Sequence, residues 1–176
     1  MELAFRYAYE TRAKLQAANS KTNIKLFYND YNTFATYGAN KRDAIIQLVK
    51  SVNSFASDGN GGYLKLCDGI GMQSYIGGYG QQSGCMNDND ITLVKNAIEK
   101  FAENNVEVHV TELAVRNYDN DAEPEHAAFY KKLVQTYVGI LTRRHRQQER
   151  PDRLRAFPFG ACLTHHICQR QITATK

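Results

Sequence analysis

Nothing in this 176-residue chain is apolar for long enough to cross a bilayer: the longest hydrophobic runs are a few residues, and a spanning helix needs about 20. The N-terminus, Met1-Glu2-Leu3-Ala4-Phe5-Arg6, lacks the basic region, apolar stretch and cleavage site of a signal peptide and reads as the interior of a helix. Tryptophan is absent, and the four cysteines make no framework, since Cys67 and Cys85 flank a loop-rich stretch and Cys162 and Cys168 lie in the tail. Spacing alone does not fix their pairing. Cys162, His165, His166 and Cys168 are zinc-ligand types in a spacing too cramped for a standard site, so no metal is expected. Gly77-Gly78-Tyr79-Gly80 is followed by neither Lys-Ser/Thr nor a prompt helix. That excludes a phosphate loop and leaves a loop bordering a groove.

The formal charge of +4 invites a nucleic-acid partner, but its distribution argues otherwise. Between Arg143 and Lys176, eight Lys and Arg face only Glu149 and Asp152, a net +6 that leaves −2 over residues 1–142. All eleven tyrosines also lie at or before Tyr137. A mildly acidic body of single-domain size is joined to a basic tail near residue 142.

Along the body, an amphipathic helix from about Leu3 to Ala18 precedes an apolar strand at Ile24–Tyr28 that ends in Asn29-Asp30-Tyr31-Asn32. A second helix carries Ile45, Ile46, Leu48, Val49, Val52 and Phe55 and stops before Gly59. Asp68–Tyr75 reads as a short strand whose glycines admit close backbone approach. A loop from Ile76 to Asn89 leads to a third helix with Ile91, Val94, Ile98 and Phe101, then a strand over Val106–Leu113. Pro124 suits the first turn of a fourth helix. Alternating helices and strands predict a parallel sheet covered by helices, whose ligands gather at the C-terminal strand ends.

Those ends carry Tyr31 and Asn32, then Gln73 and Tyr75, then Glu112. Val106, Val108 and Val110 alternate with Glu107 and His109, so simple parity puts Glu112 on the apolar side with Val108 and Val110. The same parity puts His109 on the other side, in a packing role or one supporting the site from behind rather than in catalysis. A carboxylate at a core-facing position needs a cleft or donors, because unpaired burial costs several kcal/mol. Capping a loop or pairing with Arg116 is the structural alternative. No metal-ligand cluster and no Ser or Cys beside a base lies among these strand ends, so no cofactor is expected. Amides and aromatic rings around one acid suit sugar hydroxyls and sugar faces, the setting of a glycosidase.

Four segments carry a resemblance: Phe27-Tyr28-Asn29-Asp30-Tyr31-Asn32, Lys41-Arg42-Asp43-Ala44-Ile45-Ile46, Asp68-Gly69-Ile70-Gly71-Met72-Gln73-Ser74, and Glu107 to Val115. In this order and spacing they resemble the C-terminal half of a family 10 glycoside hydrolase catalytic domain, over about residues 1–142. The resemblance implies an α/β fold, a partial (β/α)8 TIM barrel covering roughly the fifth to seventh βα units. It implies a retaining endo-1,4-β-xylanase in which Glu112 is the nucleophile. Tyr31 and Asn32 then contact the sugar on the leaving-group side, and Gln73 binds near the cleavage point. The acid/base glutamate belongs to a strand preceding Met1, so the expectation is a truncated fragment with one of two carboxylates. Xylan or xylo-oligosaccharide is the implied partner, with no nucleic acid and no membrane, and open sheet edges invite self-association. Relatives are usually secreted.

Two positions depart from the family together. Where a histidine commonly follows Gln-Ser stands Tyr75, and where an aspartate commonly stands two residues after the nucleophile is Ala114. Those two residues act as a pair, the aspartate fixing the tautomer of a histidine that donates to the nucleophile. A tyrosine hydroxyl donates without a tautomer to fix, so Tyr75 is read as the substitute donor, against drift in an inactive copy.

For the tail, residues 143–176, Ala156-Phe157-Pro158-Phe159-Gly160-Ala161 is encodable by GCC TTT CCC TTT GGG GCN. Read two bases later, that string gives Leu-Ser-Leu-Trp-Gly, and a strand ending in Trp-Gly is what the family carries on its eighth strand. A reading-frame shift near residue 142 is the expectation. The competing classes are a carbohydrate-binding or scaffold fragment without catalysis, and a nucleic-acid binder acting through the basic tail.

Overall fold

The computed structural model describes residues 1–36, 40–78, 80–117 and 123–147, the last seven of these and residue 82 by backbone only. Four helices and three strands alternate: α1 (Glu2–Ala18), β1 (Phe27–Tyr31), α2 (Lys41–Asn53), β2 (Gly69–Ile76), α3 (Asp88–Ala102), β3 (Glu107–Val115) and α4 (Glu123–Gln147). A single 3-10 turn, Gln81–Ser83, interrupts the β2–α3 loop. Met1–Tyr137 forms one compact unit, and everything below lies within it. The expectations placed on Cys162, His165, His166, Cys168 and Ala156–Ala161 lie outside the described residues.

The strands form a parallel sheet in the order β1-β2-β3, as the alternation of elements requires. Ile70, Met72, Ser74 and Ile76 on one side of β2 have no exposed surface. That side is the core face, filled by Val49 and Val52 of α2, Val94, Ala97 and Phe101 of α3, and Leu133 of α4. Both middle helices are capped by asparagine. The Asn87 oxygen accepts from the Asp90 N–H at 3.0 Å, and Asn40 exchanges bonds with the backbone and side chain of Asp43. β1 begins at Phe27 rather than Ile24, because the Leu26 backbone is already taken by Asp68, whose N–H and carboxylate bond the Leu26 C=O and N–H at 2.7 Å each.

α1 has no buried residue, and Leu3, Tyr7 and Leu15 are exposed, so the amphipathic helix expected here buries no apolar face among the described residues and polar contacts hold it. Arg12 donates to the Asp68 carboxylate and, through both terminal nitrogens, to the carbonyls of Ile24 and Lys65 at 3.4 Å. Ser51 Oγ on α2 donates to Glu2 Oε1 at 2.8 Å.

Simple parity fails in β3. Ile70 and Met72 pair with Val108 and Val110, but Gln73 pairs with Glu112, and Thr111 is passed over. The backbone switches with the side chains. Before the irregularity the odd-numbered Glu107 donates its N–H to Asp68 O, and after it the even-numbered Arg116 donates to Ile76 O. This is a β-bulge, two residues of one strand against one of its neighbour. Glu112 therefore shares the face of Gln73, opposite Val108 and Val110, and the expectation that it faces the core side is overturned. His109, paired with Gly71, lies on the same face as Glu112, so its expected separation from Glu112 is overturned as well.

Candidate functional site

The sheet face opposite the helices is built in rungs. Phe27, Gly69 and Glu107 pair across the first, and Asn29, Gly71 and His109 across the second. Tyr31, Gln73 and Glu112 form the third, and Tyr75 and Ala114 sit one step beyond. The two glycines give the flanking side chains room to meet over β2. A Cβ on Gly69 would lie 2.1 Å from the Phe27 ring, and one on Gly71 2.3 Å from Asn29 Oδ1. Across that space the Phe27 and His109 rings approach to 4.4 Å between centroids. Glu107 stands between Lys25 and His109, within 3.5 Å of His109 Nε2.

On the third rung Gln73 Nε2 donates to Glu112 Oε1 at 2.6 Å. Glu112 is half-buried. An amide donor orients a carboxylate without adding a proton that it can lose. Tyr31 is 45 % exposed, and Lys41 Nζ lies 3.3 Å from its ring centroid. Lys41 also pairs with Asp30 at 2.8 Å, and Asp30 accepts from the Tyr28 hydroxyl and the Tyr31 N–H. Burial draws the Asp30 carboxyl upward, but Lys41, the Tyr28 hydroxyl and the Tyr31 N–H outweigh it and hold the group below its ordinary range. Burial first, and then Asp30 beside it, push the Tyr28 phenol up to about 12.

The structure thus brings Tyr31, Gln73 and Glu112 onto one rung and sets Tyr75 above it, directly across from Ala114. The two departures from the family pattern are cross-strand neighbours. Asn32 stands apart. It is 9 % exposed, in left-handed backbone at φ 47°, and its buried Oδ1 has no hydrogen-bond partner among the described residues. Its N–H donates to Gln73 O, which ties the end of β1 to the rung through the main chain.

Residues that parity reasoning passed over also shape the site. Thr111 and Asn29 meet beside Glu112, and Lys41 covers one side of the Tyr31 ring. Asp90, 4 % exposed, accepts from the Cys85 N–H at 2.7 Å and anchors the β2–α3 loop. A signal for the bulge was present: the apolar positions run 106, 108, 110 and then 113, 115, a change of phase across Thr111-Glu112. Among the described residues no group of three or more His, Cys, Asp or Glu is placed to hold a metal ion.

Burial raises the Asp90 carboxyl above its ordinary value, against the Cys85 and Asn87 hydrogen bonds. A raised pKa contributes stability that is fully present below the unfolded value, near 3.8, and is lost as pH rises through the folded value. Asp90→Asn keeps an acceptor for Cys85 and carries no charge. Its urea midpoint relative to the parent is therefore expected to climb as pH rises from 4 towards 7. A constant difference across that range would show that Asp90 carries no such term.

Comparison with known proteins bears on what this face belongs to. Residues 1–147 match glycosyl hydrolase family 10. Endo-1,4-beta-xylanase A of Thermotoga neapolitana is 38 % identical over 156 residues, covering 81 % of this chain and 12 % of the relative. Endo-1,4-beta-xylanase B of Butyrivibrio fibrisolvens is 33 % identical over 117 residues, covering 65 % of this chain and 15 % of the relative. Exoglucanase XynX of Acetivibrio thermocellus is 34 % identical over 140 residues, 78 % of this chain and 10 % of the relative. The chain spans well under a quarter of the length of each of these relatives. The match covers all three strands and the face that carries Gln73 and Glu112, and the chain belongs to glycosyl hydrolase family 10.

Proposed function

We propose that this chain carries the nucleophile side of a retaining endo-1,4-β-xylanase site, with β1, β2 and β3 as the fifth to seventh strands of a (β/α)8 barrel. The Gln73–Glu112 contact of 2.6 Å at adjacent strand ends supports this reading most directly. With Oε1 held by Gln73, Glu112 attacks the anomeric carbon. The C1–O bond breaks, the sugar becomes esterified to Glu112, and water later releases it. Tyr31 contacts the leaving-group sugar, with buried Asn32 supporting the end of β1 through its bond to Gln73 O, while Gln73 meets the sugar at the cleavage point and Tyr75 donates to Glu112. Xylan itself needs a proton on its leaving oxygen, a contribution of about 10²–10⁴-fold, from a second carboxylate that the resemblance to the family implies on another strand.

A 2-deoxy-2-fluoro-xylobioside of dinitrophenol tests this, because dinitrophenolate leaves without that proton and the fluorine slows the second step. A xylobiosyl adduct on the peptide holding Glu112 is expected, absent from Glu112→Gln and formed more slowly by Tyr75→Phe. Xylo-oligosaccharide binding with no adduct would favour a carbohydrate-binding fragment, and an adduct on another residue would reject the assignment of Glu112.

A further inference from the structure

We infer that Thr111 and Asn29 are positioning residues that lock the β3 bulge and so hold Glu112 on the open face of the sheet, an inference resting on Glu112 being the nucleophile. Consecutive residues of a regular strand face opposite sides, yet Thr111 and Glu112 both project over β2. Thr111 Oγ1 donates to Asn29 Oδ1 at 2.7 Å, and Glu112 accepts from Gln73 on the next rung. The Thr111–Asn29 bond bridges β3 to β1 across the whole width of β2. Gly71 makes the crossing possible: a Cβ there would stand 2.3 Å from Asn29 Oδ1 and 3.0 Å from Thr111 Cγ2.

The lock matters because a slip of register by one residue turns each later side chain to the other face. The ladder resumes only at Glu112, after one residue has been passed over. The main chain of Thr111 is passed over in the pairing, so its hydroxyl is what fixes it. Asn29 is in turn fixed by β1, whose register with β2 is unbroken from Phe27 to Tyr31. A carboxylate that reacts at one carbon tolerates little wandering, since a misplacement of about 1 Å costs on the order of 10²-fold.

The test compares Thr111→Val, which keeps the shape and removes the hydroxyl, with Thr111→Ser, which restores it, and with Asn29→Ala. Two readouts are taken on the full chain. The first is the rate at which the fluorinated dinitrophenyl xylobioside labels Glu112. It is expected to fall about 10- to 10²-fold in Thr111→Val and Asn29→Ala and to stay near the parent rate in Thr111→Ser. The second needs no sugar: the side-chain amide resonances of Gln73, identified by their loss in Gln73→Glu. They are expected to move towards solvent-exposed values in Thr111→Val and Asn29→Ala and to hold in Thr111→Ser. Unchanged Gln73 resonances in Thr111→Val overturn the lock, whether or not the parent is labelled. A parent labelled at Glu112 and a Thr111→Val chain labelled at the same rate also overturn it, while leaving Glu112 as the nucleophile. A parent never labelled at Glu112 rejects the nucleophile reading instead, and the amide resonances still decide the lock.

Discussion

Replacing Glu112 by alanine is expected to lower dinitrophenolate release from an unfluorinated dinitrophenyl xylobioside by about 10⁴-fold or more, the scale on which hydrolases lose rate without their covalent nucleophile. Glu112→Gln is expected to lose nearly as much, although its amide oxygen can still accept from Gln73. That comparison separates charge from position. The alanine variant leaves a space on the third rung beside Gln73, where azide can take the place of the carboxylate and attack C1 from the same side. Added azide is therefore expected to restore phenolate release and to yield the α-xylobiosyl azide, seen by proton NMR of the anomeric centre. A β-configured product, or an alanine variant with parental rate, would remove Glu112 from the reaction.

The second large effect concerns stability. α1 buries no residue and depends on Arg12, whose guanidinium reaches Asp68, Ile24 and Lys65. The side chains of Arg12 and Asp68 are only 11 % and 18 % exposed. Breaking such a pair from one side strands a charge and costs about 3 kcal/mol or more, so Arg12→Ala is expected to lower the melting temperature by roughly 10 °C. Asp68→Asn is expected to cost less, because its amide oxygen still accepts from the Leu26 N–H. A change below about 1 kcal/mol for Arg12→Ala in urea unfolding, with an unchanged slope, would place the pair among ordinary surface ion pairs.

How far the sequence foretold this arrangement differs from element to element. The two middle helices were legible because Ile45, Val49 and Val52, and Ile91, Val94, Ile98 and Phe101, repeat at helical spacing and are buried where that spacing puts them, although Phe55, read with the first of these, lies beyond its end and is exposed. β2 was legible because Ile70, Met72, Ser74 and Ile76 share one strand parity and all face the core. β3 was misread in the side on which Glu112 and His109 lie, and it runs to Val115 rather than ending at Leu113. Counting from Val106 assumes an unbroken ladder, and the extra residue that breaks it is held by Asn29, 82 positions away. No local pattern contains that bond. The contact between Lys41 and the Tyr31 ring was hidden for a related reason, since it joins the start of α2 to the end of β1 across an intervening loop. The gathering of Tyr31, Gln73 and Glu112 at neighbouring strand ends was anticipated from the alternation of elements, but the bond from Gln73 to Glu112 was not, since the donor expected there was Tyr75.

β3 ends the sheet among the described residues, and α4 attends to its outer side. After the bulge the even-numbered residues bond towards β2, as Arg116 does with Ile76, so the carbonyls of Leu113 and Val115 point outward. They meet the Tyr130 hydroxyl at 3.1 Å and His126 Nε2 at 2.9 Å. A strand arriving here, from another copy or from elsewhere, has to strip two side-chain bonds of about 1 kcal/mol each before its own ladder begins. The helix following β3 thus sets a toll on strand addition at the end of the sheet nearest Glu112, and loosening the first turns of α4 lowers it.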